Sequence, residues 1–242
     1  MILAIDVGNT KIKVAVFELD TMIFKEEYTN ETFLEGLKKI YKKFPTSNKT
    51  IVSSVSNVSK EVILLLQSKS NVSVLTSESV FPFENKYATP LTLGMDRKVI
   101  VAGAALKFPK QNCLIIDAGS CITYDFIDEN KNYFGGAISP GIEMRYKALN
   151  NFTAKLPLLE KEYPTHTIGN STNQSIHSGI VNGVVHEIEG FIGDYSRRNK
   201  HLTIILTGGD ALFLAKRLKN PIFANSNFLL ESLNLLYQYN IQ

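Results

Sequence analysis

One short pattern occurs twice in this 242-residue chain and limits its fold more than any other feature. Ile2-Leu3-Ala4-Ile5-Asp6-Val7-Gly8-Asn9-Thr10 returns about half the chain later as Leu114-Ile115-Ile116-Asp117-Ala118-Gly119-Ser120. Each copy is an apolar strand ending in aspartate, then a glycine turn with a hydroxyl side chain, then a second strand. A carboxylate where a buried strand meets a glycine turn is poorly placed for stability but well placed to orient a cation and water. The hydroxyl and the exposed turn amides suit phosphate oxygens. A lone Asp-x-Gly also makes an ordinary turn, so the duplication carries the argument. Two such turns gripping a nucleotide polyphosphate from both sides point to phosphoryl transfer.

The length fits one or two domains at roughly 150 residues each, and the repeat favours two, with a boundary near residue 112: 1–112 and 113–242. Composition excludes several classes. A net charge of +3 is small for this length, and Lys38, Lys39, Lys42 and Lys43 read as a solvated helix face, so no nucleic-acid partner is expected. Cys113 and Cys121 form no C-x-x-C pair, and His166, His177, His186 and His201 are scattered, which argues against a disulfide framework or a zinc site. The cysteines read as reduced, partly buried thiols. The first strand begins at residue 2, leaving no room for a signal peptide, and no apolar run approaches the ~18 residues of a membrane span. A cytoplasmic protein with no membrane partner is expected.

Alternation of apolar residues over 12–17 makes the element after the first turn a strand, whereas a P-loop or dinucleotide fingerprint would have a helix there. A helical stripe covers 31–44, followed by a strand at 50–55, a helix through Val62 and Leu66, and a strand at 72–75. This alternation reads as α/β. Residues 81–94 form a loop, and 97–108 a nearly all-apolar helix of small residues that should be buried, between layers or against a second subunit. Strands follow at 113–116, 122–127 and 134–138, then a helix over 142–149. The polar stretch 155–169 reads as an ordered loop or lid. Ser171 opens a helix through Ile192 with the S-x-x-Q capping pattern. The chain closes with a strand at 201–206, the Thr207-Gly208-Gly209-Asp210 turn, a helix through Leu214 and Leu218, and a final helix from Leu229.

Several residues could carry chemistry, each with a plainer reading. Lys13 could reach back toward phosphates or lie on the surface. Asp96 precedes Arg97 at a helix start, where an aspartate often caps; a carboxylate beside a guanidinium also suits a base with an anion clamp. The glycines of Gly135-Gly136, Pro140-Gly141 and the Thr207 turn allow close approach of a ligand or simply tight packing.

Taken together, these segments resemble the type III pantothenate kinases, of the acetate and sugar kinase, Hsp70 and actin superfamily. The resemblance covers nearly the whole chain in order. Asp6 to Thr10 with Lys13 is similar to the family's first phosphate motif, Tyr87 to Pro90 with Gly94-Met95-Asp96-Arg97 to its pantothenate segment, and Asp117 to Asp125 to its second phosphate motif. Gly135-Gly136 to Pro140-Gly141 with Ala148-Leu149, Gly169 to Gly179, and the Thr207 to Asp210 turn complete it. The implied fold is two tandem ribonuclease H-like domains of the actin and Hsp70 ATPase type, with mixed sheets and a cleft between them.

The resemblance implies ATP-dependent phosphorylation of pantothenate to 4'-phosphopantothenate, the first step of coenzyme A synthesis, with Asp96 as proton acceptor. Tyr87, Gly94, Met95, Asp96 and Arg97 would hold pantothenate, with Thr172 reaching it from the partner of a homodimer whose active site lies at the subunit interface. Asp6, Val7, Gly8, Asn9, Thr10, Lys11, Ile12, Lys13 and Ser120 would bind ATP. Asp117 would hold a monovalent cation, K+ or NH4+, and Asp6 is the natural place for Mg2+, directly or through water. Ser120 stands where the family usually has threonine, and Cys121 where it often has alanine. The alternatives are a kinase of another small alcohol or carboxylate, and a non-catalytic transcriptional regulator on the same scaffold.

Overall fold

The computed structural model describes residues 1–8, 11–54 and 58–241. Asn9 and Thr10, named above as ATP contacts, lie outside them, as does Val55 at the end of the strand expected over 50–55. The chain forms two compact units, Met1–Pro109 with Asn227–Gln242, and Lys110–Ser226.

In the first unit β1 (Ile2–Val7), β2 (Ile12–Glu18), β3 (Thr21–Tyr28), β4 (Lys49–Val52) and β5 (Asn71–Val74) form a sheet in the order β3-β2-β1-β4-β5. The β1-β2-β3 meander is antiparallel, and β4 and β5 run parallel to β1. Helices α1 (Asn30–Lys43) and α2 (Lys60–Lys69) cover one face. Phe33, Leu37, Ile40, Val62 and Leu66 pack there on Leu3, Ile5, Val14 and Val16, the helical and strand periodicities meeting in one core. The other face of β1, β2 and β4 receives α8 (Phe228–Asn240), which also packs along α3 (Met95–Lys107). A Cβ at Gly103 of α3 would run into the Ser232 side chain of α8, so the small-residue helix reads as a close helix crossing. Lys107 and Glu231 pair across the same crossing at 2.8 Å. The last helix, assigned from sequence to the second domain, therefore completes the first unit. A short extended pair, β6 (Glu84–Asn85), lies in the expected loop.

The second unit repeats the plan. Strands β7 (Asn112–Ala118), β8 (Cys121–Ile127), β9 (Asn132–Pro140), β10 (Leu202–Thr207) and β11 (Phe223–Ala224) follow the order β9-β8-β7-β10-β11. Here too the first three strands form an antiparallel meander and the last two run parallel to its first strand. Its core joins Leu114, Ile116, Tyr124 and Leu206 to Ile142 and Tyr146 of α4 (Ile142–Asn151), Ile176 of α5 (Thr172–His177) and Val184 and Ile188 of α6 (Gly183–Arg198). The helix expected without a break from Ser171 contains a π-helical turn at Ser178–Asn182 between α5 and α6. The helix after Thr207 is shorter than its pattern, α7 (Ala211–Ala215), and Leu218 lies beyond it.

Segment 155–169 has no regular element but is firmly attached. Tyr163 stacks on Phe213 with centroids 4.0 Å apart and donates to the Phe213 carbonyl at 2.7 Å. The Arg217 guanidinium lies over the Tyr163 ring and donates to the Pro164 carbonyl at 2.8 Å. Lys161 pairs with Asp210, and the Ser178 hydroxyl donates to the Thr167 carbonyl. No helix among the described residues is long and apolar enough to cross a membrane. Cys113 and Cys121 are free thiols, and burial pushes Cys113 up to about 12.

Candidate active site

The equivalent aspartates, Asp6 and Asp117, sit at the carboxyl ends of the central strands of their sheets. In α/β sheets this edge is where ligands bind, because the strand-to-helix turns present backbone donors there.

In the first unit Asp6 is the register partner of Lys13, so the lysine seven residues on faces the carboxylate directly. The Ser53 hydroxyl, just past β4, donates to Asp6 Oδ1 at 3.0 Å and accepts from the Val7 amide at 3.0 Å. Sequence reasoning missed Ser53. Its signal was a hydroxyl residue at the end of the strand that neighbours β1, legible only once the parallel pairing is known. Burial pushes the Asp6 carboxyl above its ordinary range; Lys13 and the Ser53 hydroxyl pull it down, and Asp96 pushes it up. Asp96 thus lies near enough to Asp6 to repel it, which brings the phosphate motif and the GMDR segment into one electrostatic neighbourhood.

A raised carboxyl contributes stability that is complete below the unfolded value, 3.8, and is lost as pH rises through the folded value. Asp6→Asn cannot ionise and keeps an oxygen for Ser53. We expect it to melt above the unsubstituted protein at neutral pH, the difference shrinking in thermal melts taken at progressively lower pH. A constant difference across the series would show that Asp6 carries no ionisation penalty.

Other parts of the first motif have plainer roles. Ile12 is core, with 1% exposure, and Val7 packs beside that core, leaving only their backbones for a ligand. Lys11 pairs with Glu27 of β3 at 2.9 Å on the exposed edge. The Gly8 amide donates to the Lys11 carbonyl at 3.1 Å.

Gly94 is the N-cap of α3, and a Cβ there would run into the Asp96 carboxylate. Met95 and Asp96 follow in the first turn, so Asp96 does not cap by position. Its Oδ1 accepts from the Arg97 amide at 2.8 Å, and its side chain is exposed. Arg97 is buried at 6% exposure, with its guanidinium 5.6 Å from the centre of the Tyr87 ring. Adjacent helical residues point about 100° apart. The carboxylate and the guanidinium therefore address different places.

In the second unit three strand exits meet around the second turn. Gly208, with φ of +95°, lies so close that a Cβ would run into the Ala118 carbonyl and the Asp117 carboxylate. The Asp210 amide donates to the Ala118 carbonyl at 2.9 Å. From the other side the Gly141 amide donates to the Ser120 carbonyl at 3.1 Å, and a Cβ on Gly141 would strike the Gly119 and Ser120 carbonyls. Here the glycines of Pro140-Gly141 and Thr207-Gly208 hold the Asp117–Ser120 turn by close backbone packing. Arg145 of α4 fixes the Gly141 side, donating to the Pro140 carbonyl at 2.9 Å and the Ser139 hydroxyl at 2.8 Å, and pairing with Glu187 at 2.6 Å. The Ser120 side chain is exposed, as a phosphate contact requires. Thr172 is exposed in the first turn of α5, next to the N-cap Ser171.

Asp117 stands between two hydroxyl side chains. Thr123 and Thr207 are its register partners on either side, and both hydroxyls are buried without a hydrogen-bond partner among the described residues. An unsatisfied buried hydroxyl costs about 1–3 kcal/mol. Among the described residues no three histidine, cysteine, aspartate or glutamate side chains converge on a metal position.

A family model described as type III pantothenate kinase matches residues 2–194. The chain is 57% identical over 241 residues to a protein of Flavobacterium johnsoniae named type III pantothenate kinase, covering 100% of this chain and 99% of that one. A protein of the same name from Flavobacterium psychrophilum is 56% identical, with 99% of each chain covered, and one from Bacteroides fragilis 39%, with 99% and 98% covered. Among solved structures, a member of the Baf family of transcriptional activators from Campylobacter jejuni superposes with a TM-score of 0.64 at 22% identity over 99% of this chain and 98% of that one. A glucokinase from an Antarctic psychrotroph gives 0.52 at 12% identity over 98% of each. At these identities the two structures speak for the fold.

Proposed function

Since the chain belongs to the type III pantothenate kinase family, it phosphorylates pantothenate with ATP as donor in coenzyme A synthesis, and we propose that Asp96 and Arg97 divide the acceptor between them. The observation that carries this division is their arrangement on the first turn of α3. Pantothenate has a carboxylate at one end and a primary hydroxyl at the other. Arg97, braced on Tyr87, supplies a fork-shaped donor for the carboxylate. Asp96, exposed and turned elsewhere, accepts the proton of the hydroxyl as its oxygen attacks the γ-phosphorus. Gly94 keeps the space that the Asp96 carboxylate occupies.

Lys13 beside Asp6 offers a charge to the phosphates, and the exposed Ser120 hydroxyl a neutral donor. The Asp6 carboxylate, burdened by burial and by Asp96, fits Mg2+, and Asp117 with its threonine neighbours fits a monovalent cation. When bound, these cations would neutralise charge on the phosphates, which is where phosphoryl transfer gains most. A homodimer is also part of this reading: Thr172 would act on the partner's substrate. Exposed apolar side chains of the second unit, Phe134, Ile138, Phe152 and Ile168, support a surface that associates. The free thiols support a cytoplasmic setting.

Arg97→Lys tests the clamp. Lysine keeps the charge but loses the fork, so KM for pantothenate should rise about 10- to 100-fold, the worth of one charge-assisted hydrogen bond. KM for ATP should stay unchanged. An unaltered pantothenate KM in steady-state assays would remove Arg97 from the acceptor site.

A further inference from the structure

Three oxygen-bearing side chains stand in a row where the central strands of the second sheet end. Register pairs Asp117 of β7 with Thr123 of β8 on one side and with Thr207 of β10 on the other. Paired residues share a sheet face. Leu114, Ile116, Tyr124 and Leu206 occupy the alternate positions and fill the helical core on the opposite face. Thr207 is 1% exposed, and neither threonine hydroxyl has a hydrogen-bond partner among the described residues, although each neighbours a carboxylate that could accept one. Valine would serve the strand as well and leave no polar atom unmatched. The next polar side chain along this face, Asp125, accepts the Tyr133 hydroxyl at 2.6 Å. Gly208 packs against the Asp117 carboxylate, fixing it beside Thr207.

We propose that the Thr123 and Thr207 hydroxyl oxygens complete a cation site with Asp117 and set its preference for a monovalent ion. The proposal rests on the reading of Asp117 as a cation ligand and adds two residues to it. Neutral hydroxyls around one carboxylate offer oxygen ligands with little charge. That does not offset the dehydration of a small divalent ion, which holds its waters tightly, but it suits a large, weakly hydrated cation such as K+.

The test is thermal melting of the full-length protein in KCl and in choline chloride at equal ionic strength. The unsubstituted protein should melt several degrees higher in KCl, because a ligand that binds only the native state raises its stability. Thr207→Val and Thr123→Val should each lose most of that gain while melting in choline chloride at or above the unsubstituted protein, since each removes an unmatched hydroxyl. Thr207→Ser, which keeps the oxygen, should retain the gain and covers the case in which a valine variant fails to fold. Crystals soaked in RbCl should show anomalous scattering among the three side chains. A full K+ gain in the Thr123→Val, Thr207→Val double variant, with the gain lost in Asp117→Asn, would overturn threonine ligation and leave Asp117 in place. A full gain in Asp117→Asn, or none in the unsubstituted protein, would overturn both.

Discussion

Replacing Asp96 with asparagine should lower kcat by about 10²- to 10⁴-fold, the usual contribution of a positioned general base, while KM for pantothenate changes little. Asparagine is nearly isosteric and still offers an oxygen to the Arg97 amide that Asp96 now engages. What it cannot do is take a proton. Because the side chain is exposed, the substitution should leave melting within about 0.5 kcal/mol of the unsubstituted protein. A loss of that size in the barrier amounts to roughly 3–5 kcal/mol, more than any binding contact at this corner could explain. Single-turnover measurements with ATP and pantothenate would separate the chemical step from product release. Near-normal turnover would show that the proton leaves by another route and would strip Asp96 of its role.

The second large effect is on architecture. Gly208→Ala forces a side chain into a backbone at φ of +95° and against the Ala118 carbonyl and Asp117 carboxylate. The backbone strain alone is worth about 1–3 kcal/mol, and the collisions add to it because both partners are fixed by sheet pairing. The second unit should therefore lose several degrees, at about 2–4 °C per kcal/mol for a chain of this size. KM for ATP should rise with it, as the turn that carries Ser120 shifts. Calorimetry and ATP titration check the two arms. A variant that melts and binds normally would mean that this junction yields more easily than its close packing implies.

Much of this was legible in the sequence because the signals were local. The Asp6 and Asp117 turns, the strands around them and the small-residue helix over 97–108 follow from periodicity and glycine placement. What the sequence concealed depended on partners far along the chain. Strand β3 was invisible because an edge strand carrying Lys25, Glu26 and Glu27 has little apolar alternation to show. Ser53 acquires meaning only beside β1, and Thr123 and Thr207 only in register with Asp117. The π-helical turn breaks a pattern whose apolar spacing looks continuous, since Ile176, Ile180, Val184 and Ile188 all reach the same core. The substrate itself came from likeness to a family, because neither spacing nor composition distinguishes pantothenate from another small alcohol.

The attachment of α8 to the first unit has a consequence for biosynthesis. The second unit is one uninterrupted stretch and can acquire its native packing while still leaving the ribosome. The first is not: its sheet keeps a bare apolar face, and Gly103 an empty notch, until the segment holding Ser232 has been translated. The half of the molecule that bears Asp96 is thus made first and finished last, and a nascent chain stalled before Asn227 would expose a sticky surface to quality-control chaperones.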